Sequence, residues 1–160
     1  MIRLIDLLKE AEELKISERE FNSKAQQFYN KLSESDVIAL RSWTANLDTP
    51  PKGLISRKKA KKYLITSPNI KGVSQEFIKK LSDNKPFLVF RAYDPETSGT
   101  GLKSYTLRKG TSDAFNYYDI KSIDVRTITY KDVIAVPAIS FKGWEDAGGY
   151  LTEYEIVLSI

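Results

Sequence analysis

Tyr150-Leu-Thr-Glu-Tyr-Glu-Ile-Val-Leu-Ser-Ile160 is the stretch against which the rest of the chain is best read. Side chains of a strand alternate between its two faces. One face of this segment therefore carries Tyr154, Ile156, Leu158 and Ile160, an apolar stripe ready for a core. The other carries Glu153, Glu155, Val157 and Ser159. Two carboxylates side by side on a strand repel modestly, so a fold gains nothing structural from the pairing. The segment is either a half-exposed terminal strand with an acidic outer face or a strand that presents a paired-carboxylate site.

Moving back along the chain, the texture is β-like as far as Pro86. Phe87-Leu-Val-Phe-Arg-Ala-Tyr93 is a compact strand run, and Asp94 to Gly101 is a loop rich in turn formers. Leu102 to Leu107 reads as a short strand, and Thr111 to Tyr118 as one or two helical turns. Val125 to Tyr130 alternates, and Asp132 to Val136 is a strand closed by Pro137. The loop 141–149 holds three glycines and precedes the final strand.

Upstream the period changes to that of helices. Residues 2–16 show apolar positions at helical spacing, and Ser17-Glu-Arg-Glu20 is a capping box opening a helix to about Leu32. Ser33 to Asp36 caps a third helix, to about Asn46, which buries Val37, Leu40 and Trp43. Arg57-Lys-Lys-Ala-Lys-Lys62 puts five cations in six residues, either a solvated helix face or a phosphate or nucleic-acid contact. Ser74 caps a short helix from Gln75 to Leu81. Helices first and strands afterwards predict an α+β fold, with N-terminal helices followed by a mixed, mostly antiparallel sheet.

At 160 residues the chain is sized for one domain, and a hydrophobic content of 41% is enough for a real core. Cysteine and histidine are both absent. That excludes disulfides, thiolate or imidazole metal sites, and every Ser-His-Asp or Cys-His mechanism. Chemistry, if there is any, rests on carboxylates, hydroxyls, lysine, arginine or a bound cofactor. The net charge of +4 permits attraction to phosphates without demanding it. No apolar run reaches membrane-spanning length, and Met1-Ile-Arg-Leu-Ile-Asp6 is too polar for a secretory signal. The expectation is a cytoplasmic protein without membrane contact.

Three features of the β half stand in a telling order. Arg91 ends an apolar strand, Ser104-Tyr-Thr106 sets two hydroxyls on one face of the next, and Glu153-x-Glu155 closes the chain. In this order the sequence resembles the arginine-type mono-ADP-ribosyltransferases, particularly bacteriophage and toxin-like members. Phe87-Leu-Val-Phe-Arg-Ala92 is similar to the family's first strand, and Leu102-Lys-Ser-Tyr-Thr-Leu107 to its second motif. Thr152 to Leu158 is the closest match, and Leu32 to Thr44 is similar to the helix that opens many such domains. The match departs from the usual pattern at Ala92, where glycine is common, and in reading Ser-Tyr-Thr rather than Ser-Thr-Ser.

The resemblance implies a sheet core of ADP-ribosyltransferase type over residues 32–160, with 1–31 as a helical extension packing on it. It also implies NAD+ as substrate and no metal. Arg91 would bind an NAD+ phosphate, with Ser104 and Thr106 holding the cleft. Glu155 would stabilise positive charge developing on the nicotinamide ribose, and Glu153 would orient or deprotonate the acceptor. The acceptor implied is an arginine on a host protein, which could itself be nucleic-acid-associated, and Trp144 or Tyr150 would touch it. A phage-encoded copy would act in the host cytoplasm. The alternative is a non-catalytic interaction protein that binds a host protein or nucleic acid through its basic segment and N-terminal helices.

Overall fold

Every α-helix among the described residues starts at a serine. The structure is a computed structural model, and it describes residues 11–93, 101–108, 122–142 and 154–160. Ser17, Ser33, Ser56 and Ser67 each accept from the backbone N–H three residues on, opening α1 (Glu18–Gln26), α2 (Glu34–Ala45), α3 (Arg57–Thr66) and α4 (Pro68–Leu81). A hydroxyl in this position satisfies one of the donors that a helix start leaves orphaned. At α2 the bond is reciprocated, the Asp36 carboxylate accepting from Ser33 N. Asn46, left-handed at φ 55°, ends that helix.

Five strands follow: β1 (Phe87–Tyr93), β2 (Leu102–Thr106), β3 (Ser122–Ile128), β4 (Val133–Ala135) and β5 (Glu155–Ser159). They form one sheet in the order β3-β1-β2-β5-β4, and every neighbouring pair is antiparallel. In a flat sheet β3 and β4, at opposite edges, would stand about 19 Å apart. Yet only residues 129–132 join them, three of those in a 3-10 turn (Tyr130–Asp132). Such a turn rises about 2 Å per residue, so the sheet must curl until its edges approach. Accordingly, Ile128, Val133 and Leu158 share one buried cluster.

Both faces of the sheet are covered. Phe21, Ala25 and Phe28 from and just after α1 pack with Phe77 and Ile78 of α4 against Val89, Tyr105, Ile156 and Leu158. On the other face Leu40 and Trp43 of α2 and Ala60 and Leu64 of α3 cover Leu102, Ala135 and Val157. A bulge in β4 serves both cores: Val133 pairs with Leu158 but Ala135 with Val157, so residues two apart point to opposite faces.

The α+β class is as expected, with the sheet wholly antiparallel among the described strands rather than mixed. Residues 11–16 are not helical: Glu12 makes a parallel bridge to Phe87, and its carbonyl accepts from Leu88 N at 3.1 Å. There β1 extends past the end of β2, and its open edge outweighs the helical periodicity. The helix expected from 75 begins instead at Pro68, because Ser67 is the cap and Pro68 suits the first turn. Ser74 lies buried inside that helix and accepts from Val136 N at 3.1 Å. The half-exposed reading of the last strand also gives way, since β5 lies between β2 and β4 with Val157 wholly buried. Residues 1–10, the turns expected at 111–118 and the segment 143–153 lie outside the described residues. Among the described residues no helix is long and apolar enough to cross a membrane.

Candidate active site

β2 and β5 are neighbours, with Thr106 opposite Glu155 and Ser104 opposite Val157. Alternation puts Ser104, Thr106 and Glu155 in one row, on the face that also carries Leu102 and Val157. There the Ser104 hydroxyl donates to Glu155 Oε2, joining two side chains 51 residues apart. The same oxygen accepts from Trp43 Nε1 at 3.1 Å. Trp43 is 5% exposed on α2, so its indole is a fixed donor rather than a mobile one. A carboxylate gripped by two donors from two elements has its orientation set before any ligand arrives.

Arg91 stands on the opposite face of the sheet. Register sets it opposite Asp124 and in the row of Phe87 and Val89, whereas Phe90 pairs with Thr106. Its guanidinium donates from Nη1 to the main-chain carbonyl of Ser104 at 3.0 Å. The expected residues Arg91, Ser104 and Glu155 thus come from three consecutive strands, β1, β2 and β5. Ser104 and Glu155 are joined through side chains, while Arg91 is tied in through the backbone. Thr106 is buried, and its hydroxyl accepts from Arg108 N at 3.3 Å, so it supports the end of the strand. Glu153, Trp144 and Tyr150 lie outside the described residues.

The surroundings are strongly positive. The Arg57 guanidinium stands 5.3 Å over the Trp43 ring. Lys61 Nζ lies only 3.4 Å from where a Cβ on Gly101 would sit, at the head of β2. Gly101 has φ +120°, a conformation that disfavours any side chain, so the backbone itself calls for glycine there. Burial, and then the charges of Arg91, Lys61 and Arg57, hold the Lys103 ammonium below its ordinary value. The cations bordering the Glu155 face come from α3, whereas Arg91 and Lys103 stand on the other face.

Sequence reasoning placed Trp43 in a core and left Arg57 and Lys61 in a charge run. No spacing rule links Trp43 to a glutamate 112 residues later. The local signal was a tryptophan on the apolar face of α2. No family model, curated protein or solved structure matches this chain.

Proposed function

We propose that the chain is a mono-ADP-ribosyltransferase that uses NAD+ and passes ADP-ribose to an acceptor, an arginine on a protein being the acceptor that Glu-x-Glu favours. The reading is carried by one observation: the Ser104 hydroxyl on the Glu155 carboxylate, across neighbouring strands whose next neighbour bears Arg91. In this reading the bond from ribose C1′ to the nicotinamide nitrogen breaks, and its electron pair leaves with neutral nicotinamide. Positive charge grows on the ribose, and Glu155, oriented by Ser104 and Trp43, stabilises it. The acceptor's lone pair forms the new bond to C1′, and Glu153 takes the proton that the acceptor loses. Arg57, over the Trp43 ring, and Lys61, at the head of β2, suit the diphosphate, the forked guanidinium above all. Arg91 holds β1 to the Ser104 carbonyl from the other face.

The test is incubation of wild type and Glu155→Gln with labelled NAD+ and cell lysate, following label transfer and nicotinamide release. Activity is expected in the wild type and a loss of at least a hundredfold in the variant, with an unchanged circular dichroism spectrum. Absence of transfer, of nicotinamide release and of any NAD+-induced thermal shift in the wild type would remove the reading.

A further inference from the structure

Between Asp48 and Glu76 the chain carries seven lysines and arginines and no carboxylate. That exceeds the excess of +4 for the whole chain, so the remainder is net acidic. The charge is concentrated on α3, which buries only Ala60 and Leu64 and leaves Lys58, Lys59, Lys61 and Lys62 exposed. None of these four lysines is in an ion pair among the described residues. Elsewhere on the surface lysines do find partners, as in Lys24–Glu20 and Lys31–Glu76. Uncompensated like charge one helical turn apart is unfavourable, so the sequence gains no stability from this arrangement. Nor does the charge stop at the helix, since Lys61 reaches Gly101 and Arg57 covers Trp43 beside Glu155.

We propose that the exposed lysine face of α3, continued by Arg57 and Lys61 to the head of β2, is a docking surface for the sugar–phosphate backbone of a nucleic acid. It goes beyond the transferase reading and does not depend on it. Lysine, a hydrated point charge, suits a row of phosphates, whereas protein interfaces are depleted in lysine and enriched in aromatic anchors. This face has no such anchor: Tyr63, the one aromatic of α3, is half-buried with its hydroxyl on Asp36. Contacts are therefore to the backbone, and binding is indifferent to base sequence.

The experiment is fluorescence anisotropy of labelled single-stranded oligonucleotides across a salt series. Wild type is compared with a Lys58→Gln, Lys59→Gln, Lys61→Gln, Lys62→Gln variant and with a Lys79→Gln, Lys80→Gln control on α4. Thermal melts confirm that each variant is folded. The α3 variant should bind at least tenfold more weakly and lose about 3 from the log–log salt slope, at about 0.7 per phosphate contact. The control should change less than twofold. Equal losses in both, absence of binding by wild type at low salt, or competition by polyglutamate as strong as by unlabelled oligonucleotide would overturn the proposal, the last in favour of an acidic protein. Glu155→Gln should bind nucleic acid at least as tightly as wild type, so this result is read separately from any transfer assay.

Discussion

Asp36 shows how one buried carboxylate ties several elements together. It is 3% exposed and accepts from Ser33 N at 3.0 Å, Tyr63 Oη at 2.8 Å and Asn69 Nδ2 at 2.7 Å, so α2, α3 and α4 meet on its two oxygens. Burial pushes its carboxyl up, but the bonds from Ser33, Asn69 and Tyr63 outweigh that and hold it below its ordinary 3.8. A lowered folded pKa contributes stability that is present above pH 3.8 and lost as pH falls through the folded value. Asp36→Ala, which strands three donors, should cost about 3 kcal/mol in urea unfolding at pH 7 and should flatten the acid limb below pH 4. Tyr105 gives the opposite limb. Burial first, then the hydrogen bond to Asp124 and its charge, push the phenol up to about 12. Its contribution is complete below pH 10 and fades as pH rises towards about 12. Urea midpoints of Tyr105→Phe should therefore fall less between pH 9 and 11.5 than those of wild type. At the candidate site Trp43→Phe keeps an aromatic side chain but removes the donor to Glu155. It should cost about 1 kcal/mol and, in the transferase reading, lower nicotinamide release about tenfold with KM little changed.

At the level of elements, β5 was read correctly for one face and incompletely for the other. Tyr154, Ile156 and Leu158 enter the larger core, as their alternation predicted. Val157 stands in the row of Glu155, and alternation alone left it on an outer face. It is buried because α2 and α3 close over that side. Ile156→Ala should cost about 3 kcal/mol and Val157→Ala about 2, whereas a strand with one wet face would show almost no loss for the second. Chemical denaturation of the two variants decides between these pictures. The caps of α1 and α2 were legible because a cap is a local bond between residues three apart. The helix over 11–16 was misread because its apolar spacing carries no information about the open edge of β1. Ser67→Ala should cost about 1 kcal/mol, measured by thermal melt, since Ser67 both ends α3 and caps α4.

For the molecule as a whole, α1 is not a loose appendage within its described span. Phe21 stands 5.4 Å from Phe77 and 5.5 Å from Tyr154, and Phe28 stands 5.6 Å from Phe77. Phe77→Ala removes the ring that joins α1 to α4 and should cost about 4 kcal/mol. The loss should fall on one cooperative transition, with circular dichroism and tryptophan fluorescence coincident. A separate early transition in the variant would mean that the N-terminal part unfolds by itself.

The sequence by itself determined the α+β class, the positions of most strands, and the exclusion of thiol and imidazole chemistry. Each of these rests on composition or on periods and caps that span a few residues. Only the tertiary structure decided that Ser104 meets Glu155, that Trp43 grips the same oxygen, and that the basic run of α3 opens onto that junction. Those contacts bridge 51 and 112 residues of chain. They follow from strand order and from helices closing over a curled sheet, which no local pattern of side chains encodes.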